Sequence, residues 1–325
     1  MYAVLCQQPG GPEILHWGEC PRPEPKPGEV LIKVAAAGVN RADILQRLGK
    51  YPPPQDASDI LGMEVSGEVV LCGRNISRWK AGDKVCALLG GGGYAEYVAA
   101  PEGQCLPWPA AFSAVEAGGI TECALTVWIN LFEAAAFKPH EAVLVHGGAS
   151  GIGTTAIQMV KAFGAKIFVT VGSADKQAAC RKLGANLAID YKTEDFVEAV
   201  KKATNGHGVD VVVDIVGKDY VLKNLKALAP HGRHVSVGTL HGKDAMIDLR
   251  EIMSKQLIMT GSTMRARDPV EKARVVAAGE ANVWPWVAAG KVKPLIYKAF
   301  PMKNAAEAHK LMESGAHIGK IVLEV

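Results

Sequence analysis

Short runs of apolar residues, separated by turn residues, fill roughly the first third of the chain. Four of them have the β-branched content of strands, and proline, glycine or polar residues bound each one: "GEVLIKVAAAGV", "MEVSGEVVLCG", "GDKVCALL" and "GGYAEYVAAP". The stretch 21–29, "PRPEPKPGE", has four prolines in nine positions and predicts an extended surface connection. This part of the chain is therefore predicted to form a compact, mostly β domain.

From residue 124 onward, strand-like apolar runs alternate with helical segments at the spacing of βαβ units. The pattern predicts six strands, at 142–146, 166–171, 187–190, 209–214, 234–237 and 257–260. Such strands form a doubly wound parallel sheet, which binds its ligand at their carboxyl ends. The residues after 266 predict helices and a final strand, "GKIVLEV", with no further βαβ unit. We expect one domain from 1–123 and 267–325, and a second from 124–266.

Composition narrows the class of protein. A chain of 325 residues with 49% hydrophobic and 21% charged residues is globular and long enough for two domains. The net charge of +3 offers no basic stripe, so nucleic acid is not an expected partner. The 7 cysteines form no C-x-x-C pair, which favours reduced thiols in the cytoplasm. The start "MYAVLCQQPGG" lacks a basic n-region, and no apolar run reaches the roughly 18 residues of a membrane span.

The sequence "VLVHGGASGIGTTAIQ", 143–158, runs from a predicted strand through clustered glycines into a predicted helix. Small residues there let the backbone approach a pyrophosphate while the helix N-terminus offers free N–H groups. We therefore predict cofactor contacts at Ser150, Gly151, Ile152 and Gly153. The same letters resemble the opening of the short-chain dehydrogenases, which need a tyrosine followed four residues later by lysine. No tyrosine of this chain has that partner.

The whole chain resembles the medium-chain dehydrogenase/reductase superfamily, in its zinc-independent quinone oxidoreductase (zeta-crystallin-like) branch. The resemblance rests on "GEVLIKVAAAGVNRADILQRLGKYPPP", "LGMEVSGEV", "GDKVCAL", the glycine turn and "GKIVLEV". Within the branch it is closest to the tumour-suppressor-inducible type. It implies a GroES-like, mostly β domain and a Rossmann domain with a six-stranded parallel sheet. It also implies a homodimer joined through edge strands, for which "QLIMTGS" is apolar enough.

The residues after the second sheet strand favour NADPH over NAD. A site for NAD usually has an acidic residue roughly 20 positions beyond the glycines, whereas this chain has "VGSADK" there. Gly172, Ser173 and Lys176 would accept a 2′-phosphate, and we expect Asp175 to point to solvent. The resemblance adds Tyr191 as a phosphate contact. Alternatively, Lys176 is only a solvated helix residue.

The positions that bind zinc in other members of the superfamily differ here. Those members use a cysteine near the position of Asn40 and a histidine in a "GHE" stretch. Here the stretches are "VNRAD" and "GMEVSG", and four closely spaced cysteines are also missing. We expect no bound metal, and we interpret Met63 as core packing.

Three further residues acquire roles from the resemblance. Asn40 would lie beside the nicotinamide ribose, Tyr51 at the cleft mouth in reach of cofactor or acceptor, and Thr126 under the nicotinamide. Asn40 and Tyr51 are the predicted catalytic residues, acting by positioning. A turn amide, a packing aromatic and a helix hydroxyl are the respective alternatives. We expect Asp43 to bond backbone groups near Asn40.

The remaining predicted cofactor contacts lie after later strands. Gly217 and Gly238 end the fourth and fifth sheet strands, where a small residue allows close approach. Arg265 resembles the family's basic residue after the sixth strand, with a plain surface arginine as the alternative. Lys320 would reach the cofactor pocket. We interpret His146 as a satisfied, partly buried histidine rather than an acid.

Without a Lewis acid, the substrate must already be electrophilic. A quinone meets that requirement by accepting hydride from the nicotinamide C4, so the protein mainly orients the reactants. We therefore predict an NADPH-dependent quinone reductase. The alternatives are a reductase of α,β-unsaturated aldehydes and ketones, and a non-catalytic NADPH-binding or RNA-binding protein.

Overall fold

A computed structural model describes residues 1–325. Contacts within the chain divide it into two units, Met1–Leu125 with Met264–Val325, and Thr126–Thr263. The strands are β1 (Tyr2–Leu5), β2 (His16–Glu19), β3 (Glu29–Gly38), β4 (Glu64–Cys72), β5 (Lys84–Leu88), β6 (Tyr97–Pro101), β7 (Cys105–Pro107), β8 (Ala142–His146), β9 (Lys166–Val171), β10 (Leu187–Asp190), β11 (Val209–Asp214), β12 (Leu228–Ser236), β13 (Ile258–Gly261), β14 (Ile296–Pro301) and β15 (Lys320–Glu324).

The helices are α1 (Arg41–Arg47), α2 (Ala114–Ala117), α3 (Thr121–Val127), α4 (Gly151–Phe163), α5 (Ala174–Leu183), α6 (Phe196–Ala203), α7 (Asp219–Ala227), α8 (Leu249–Lys255), α9 (Pro269–Asn282), α10 (Trp284–Ala288) and α11 (Ala305–Ser314), with a π-helix at Trp128–Ala134. No helix combines the length and the apolar character that crossing a bilayer requires.

The first unit is built on a seven-stranded sheet. Its order is β14-β15-β3-β4-β5-β7, and β6 pairs with β3 off this path. Strand β3 is central because it pairs antiparallel with β4, β6 and β15. Its apolar residues join those of β4, β5 and β15 in one buried cluster, as the alternating pattern of these strands predicts.

The carboxyl-terminal strands correct one prediction. As expected, the segment returns to the sheet of the first unit. However, β14 and β15 pair in parallel and α11 connects them, so a further βαβ unit is present. Most residues of β14 are exposed, and only Phe300 among them is buried. The strand therefore lacks the apolar run from which a buried parallel strand is recognised.

The second unit contains a six-stranded sheet in the order β10-β9-β8-β11-β12-β13, with every neighbouring pair parallel. The winding reverses at β8, which lies between β9 and β11. The predicted doubly wound sheet is confirmed, and the first four strands have the predicted bounds. Strand β12 begins earlier than predicted, at Leu228, and β13 starts one residue later.

Helix α4 shows why the chain turns into a helix directly after β8. The Ser150 side chain caps its N-terminus, and Gly164 ends it in the left-handed conformation, at φ +85°. Between the caps, the apolar side chains of Ala156, Ile157 and Val160 are buried. The caps fix the helix ends, and the buried apolar face holds the helix against the sheet.

Candidate functional site

The glycine turn is packed too closely for larger residues. A Cβ at Gly153 would lie 2.3 Å from the Gly147 carbonyl oxygen and 2.6 Å from Gly148 atoms. The Ser150 hydroxyl accepts the Gly153 N–H at 3.0 Å, which fixes the first turn of α4. The N–H groups of Gly151 and Ile152 have no acceptor within the protein. They are therefore available to an anion at the positive end of the helix.

A second group of predicted residues lies together beyond β9. Ser173 caps α5 by accepting the Lys176 N–H at 3.4 Å. The Tyr191 ring covers Gly172 so closely that a Cβ there would lie 2.6 Å from the Tyr191 hydroxyl. Burial, together with the nearby charge of Lys192, lowers the pKa of Lys176.

Lys192 is a residue that the sequence prediction missed. Its charge is close enough to lower the pKa of Lys176, and a phosphate placed near both ammonium groups would be attracted to them. Its position next to Tyr191, a predicted phosphate contact, could have indicated this role from the sequence. Asp175 is exposed, as expected.

Gly217 and Gly238 lie just after β11 and β12. Gly217 has φ +73°, and a Cβ there would lie 2.5 Å from the Gly242 carbonyl oxygen. The group that requires a glycine at position 217 is thus the protein's own backbone, and a close approach of the cofactor there stays a prediction. The Asp214 carboxylate holds this loop by accepting the N–H groups of Val216 and Gly217 at 2.7 and 3.1 Å. Burial would raise the pKa of Asp214, but these bonds and His234 Nε2, 3.2 Å from its Oδ2, bring it below its ordinary value.

His146 is satisfied, as predicted, although the prediction of partial burial was wrong because the ring is fully buried. Its Nε2 lies 2.7 Å from Asn224 Oδ1, and its Nδ1 lies 2.9 Å from the Thr170 hydroxyl. Since Asn224 Oδ1 only accepts, Nε2 carries the proton and Nδ1 accepts from Thr170. Burial lowers the pKa of His146, which keeps the ring neutral.

Thr126 lies next to the first residues of α4. It lines a small cavity of about 10 Å³ together with Ile152 and apolar residues of β8 and β11. The π-helix that follows supplies Asn130, whose amide donates to the Thr126 carbonyl at 2.9 Å. Asn130 Oδ1 accepts from Ser262 at 2.8 Å, so the amide is fixed at both ends.

In the first unit, Asn40 and Lys320 belong to one buried cluster. Lys320 Nζ lies 2.6 Å from Glu64 Oε1 and 2.5 Å from Asn40 Oδ1, and it contacts the Cys123 sulfur at 3.7 Å. The Asn40 amide donates to Glu64 and to the Gly38 carbonyl. Lys320 is only 3% exposed, and its ammonium contacts all three of these partners. A contact of either residue with a cofactor stays a prediction.

Charge compensation explains why Lys320 remains a cation when buried. Burial alone would lower its pKa, but the Glu64 carboxylate, 2.6 Å away, raises it above the ordinary value. Burial raises the pKa of Cys123 to about 12, so the thiol stays protonated. Glu64 was missed by the sequence prediction, although its position in "GMEVSG" next to Met63 was visible.

Asp43 bonds backbone groups, as expected. Its carboxylate accepts the N–H of Asn40 at 2.8 Å and that of Gly62 at 3.1 Å. It also accepts the Tyr94 hydroxyl at 3.1 Å, and Tyr94 in turn lies 3.3 Å from His309 Nε2. Burial raises the pKa of Asp43 to about 6. The network holds the loop before α1, from which Asn40 extends.

Tyr51 and Arg265, predicted separately, lie together. Arg265 donates to the Tyr51 carbonyl at 3.2 Å, and its guanidinium lies 5.4 Å from the centre of the Tyr51 ring. The alternative of a plain surface arginine is wrong because Arg265 is 5% exposed. Burial raises the pKa of Tyr51, more than Arg265 lowers it, so the phenol stays protonated. The Tyr51 hydroxyl makes no hydrogen bond to the protein.

The donor set around Asn40 and Met63 differs from that of a metal site. Lys320 supplies a cation within the Asn40 and Glu64 cluster, and no group of three or more His, Cys, Asp or Glu side chains in the chain is arranged to hold a metal ion. Met63 is buried, as core packing requires. The absence of a bound metal stays a prediction.

Comparison with known families accounts for both units. The family described as "Alcohol dehydrogenase GroES-like domain" matches residues 26–110, and "Zinc-binding dehydrogenase" matches residues 151–278. Quinone oxidoreductase 1 of Escherichia coli is 34% identical over 97% of this chain and 96% of its own length. The crystal structure of the Escherichia coli quinone oxidoreductase complexed with NADPH matches with a TM-score of 0.91 and 31% identity, over 100% of both chains.

Two other similar proteins carry the names of different enzymes. One subunit of the phenolphthiocerol/phthiocerol polyketide synthase of Mycobacterium tuberculosis is 30% identical over 98% of this chain, which spans only 14% of that protein's length. The structure of CurK enoyl reductase matches with a TM-score of 0.86 and 28% identity, covering 99% of this chain and 98% of that chain.

This chain belongs to the medium-chain dehydrogenase/reductase superfamily, in its quinone oxidoreductase branch. The predicted family, its enzyme class and its GroES-like and Rossmann folds are thereby confirmed.

Proposed function

We propose that the protein is an NADPH-dependent reductase that transfers hydride to a quinone. The observation that carries the proposal is the pair of anion sites in the second unit, one at the N-terminus of α4 and one beside Ser173. Their spacing along β8, α4 and β9 is that of a dinucleotide site at the strand order reversal. The second site brings the charges of Lys176 and Lys192 near each other, which favours a 2′-phosphate over a free hydroxyl.

The second unit offers contacts for both phosphate groups of NADPH, the pyrophosphate and the 2′-phosphate. The free N–H groups of Gly151 and Ile152 would hold the pyrophosphate. Ser173, Lys176 and Lys192 would hold the 2′-phosphate, with the Tyr191 ring above Gly172 closing one side. A bound dinucleotide would supply the hydrogen-bond acceptors that these backbone N–H groups lack in the protein.

A bound nicotinamide would supply the hydride, and the protein would supply orientation and a hydrogen-bond donor. Tyr51 is suited to that contact because its hydroxyl is protonated and has no partner in the protein. A hydrogen bond from it to a quinone oxygen would stabilise the negative charge that develops there. Asn40 is held by Asp43 and Lys320, and it gives that region a fixed backbone.

Steady-state assays with NADPH or NADH and a panel of ortho-quinones, para-quinones and enones test the function. We expect faster oxidation of NADPH than of NADH, with quinones as the better acceptors. The variant S173A/K176M should raise the Michaelis constant for NADPH at least tenfold, since it removes two phosphate contacts, and change that for NADH little. Lys182→Met, an exposed lysine of the same helix α5, is the matched control.

Two results would contradict the proposal. If no acceptor oxidised NADPH while the protein still bound it, a non-catalytic role would replace the enzyme. If S173A/K176M weakened both cofactors equally, the 2′-phosphate site would lie elsewhere.

The likeness to CurK enoyl reductase supports a second candidate, reduction of α,β-unsaturated carbonyl compounds. The same hydride and the same Tyr51 donor serve an enone, because its oxygen also gains negative charge. Higher kcat/KM for enones than for quinones in the same panel would favour this activity.

We also propose a homodimer formed through the edge strand β13. Ile258 and Met259 on this strand and Met253 on α8 are exposed, although a monomer gains nothing from exposing them. Analytical ultracentrifugation should give twice the chain mass of 34.4 kDa, and Ile258→Lys should shift it toward the monomer. A wild-type monomer at all concentrations would contradict this proposal.

A further inference from the structure

Arg265 connects three separate parts of the first unit. Its Nε donates to the Gly90 carbonyl at 2.8 Å, its Nη1 to the Tyr51 carbonyl at 3.2 Å, and its Nη2 to Gln46 Oε1 at 2.6 Å. All three acceptors are uncharged. A guanidinium has five N–H donors, so three of them are committed to the protein. A buried arginine with three hydrogen bonds to separate segments is suited to holding backbone in place.

Gln46 extends this connection to the loop that carries Tyr51. The loop between α1 and β4 contains no helix or strand, and three consecutive prolines follow Tyr51. Gln46 Nε2 donates to the Asp59 carbonyl at 2.9 Å, while its Oε1 accepts from Arg265. The same amide therefore anchors the far end of the loop directly and the near end through Arg265. We name the pair Arg265 and Gln46 the loop clamp.

The Arg265 guanidinium also fixes the aromatic ring. It lies 5.4 Å from the ring centroid of Tyr51, within the range of a cation–π contact. The backbone of Tyr51 and the plane of its ring are thus held by one side chain, while the hydroxyl stays free of protein partners. The Tyr51 hydroxyl, whose ring the clamp orients, is therefore available to a ligand.

We propose that Arg265 is a positioning residue for the acceptor, acting through Tyr51, and that it is not a ligand of the cofactor phosphates. This rests on the proposed function, since it assigns Tyr51 to the oxygen of the reduced acceptor. It departs from the role that the family resemblance implies for Arg265. The loop clamp then sets where an acceptor carbonyl must lie to receive the Tyr51 hydrogen bond, which makes it a determinant of acceptor selectivity.

A double-mutant cycle with Y51F, R265M and the combined variant tests the proposal. The assays are kcat and KM for a quinone at saturating NADPH, and the dissociation constant of NADPH by fluorescence. Y51F and R265M should each lower kcat/KM for the quinone about tenfold, the loss expected for one uncharged hydrogen bond in the transition state. In the Y51F background, R265M should change it less than twofold. The NADPH dissociation constant should stay unchanged throughout.

Two further variants separate positioning from folding. R265K retains the charge and one possible hydrogen bond, so its kcat/KM should lie between those of R265M and wild type. R267M removes an arginine two residues away that pairs with Glu271, and it should behave as wild type. Unchanged NADPH binding in R265M or R265K shows that the variant is folded.

Multiplicative effects of Y51F and R265M would overturn the proposal, as would a tenfold weaker NADPH affinity in R265M or R265K. In both cases the wild-type enzyme still reduces quinones, and the proposed function stands. If the wild type reduced neither quinones nor enones, the proposed function itself would fail, and this inference with it.

Discussion

The ion pair between Glu64 and Lys320 allows a quantitative prediction for the substitution Glu64→Gln. Both side chains are almost completely buried, and their charged atoms lie 2.6 Å apart. Glutamine keeps the shape. If its oxygen still accepts the Glu122 N–H, its NH2 group faces the Lys320 ammonium and the Asn40 amide, which leaves the ammonium without a counter-charge or an acceptor at this position. Removing one partner of a buried pair costs about 3 to 5 kcal/mol. This is a large share of the roughly 5 to 15 kcal/mol that stabilises a typical domain.

Urea unfolding followed by circular dichroism measures this cost. With an m-value of about 3 kcal/mol per molar, a loss of 3 kcal/mol lowers the midpoint by about 1 M. The double variant E64Q/K320M should lose less than the sum of the two single variants, because it leaves no isolated charge. Glu198→Gln breaks the exposed pair with Lys201 and should shift the midpoint by less than about 0.2 M. A wild-type midpoint for E64Q would refute the reasoning.

Two further predictions concern the turn and the buried carboxyl. Gly153→Ala places a Cβ against the Gly147 carbonyl, which cannot move without breaking the turn. NADPH affinity should therefore fall at least tenfold, and the free energy of unfolding should fall by about 1 to 3 kcal/mol. An NADPH affinity equal to that of the wild type, measured by fluorescence titration, would contradict this prediction. Asp43 has a pKa of about 6 when folded against 3.8 ordinarily, so the folded state binds its proton more tightly. Asp43 therefore stabilises the folded state below pH 4, and this stabilisation is lost as the pH rises to 6. Over this range the free energy of unfolding of the wild type should fall by about 3 kcal/mol relative to that of Asp43→Asn. Parallel pH dependences of the urea midpoints of wild type and D43N would show that Asp43 does not titrate in this way.

The fold was largely predictable because its strands carry local signals. Strands β8 to β11 are apolar runs between turn residues, and their bounds follow from these alone. Strand β12 contains Pro230 and Gly232, which interrupt the pattern, so its first half was missed. The parallel pair of β14 and β15 was missed because the exposure of β14 removes the apolar run.

The candidate site was less predictable because its contacts join distant residues. Asn40 and Lys320 are separated by 280 positions, and no local pattern reports that their side chains meet. The burial of Arg265 likewise depends on the loops of Tyr51 and Gly90 closing over it. By contrast, the turn at Gly153 and the Ser173 and Lys176 segment follow strands directly, and their geometry follows from the local sequence.

Single-turnover oxidation of NADPH by a quinone tests the central claim most directly. Protein loaded with NADPH, or with NADPH carrying deuterium at the transferred C4 position, is mixed with excess quinone in the presence of a metal chelator, and absorbance at the nicotinamide band is followed. We predict one exponential phase, at least twofold slower with deuterium. Oxidation no faster than in free solution, or its loss on chelation, would contradict the account.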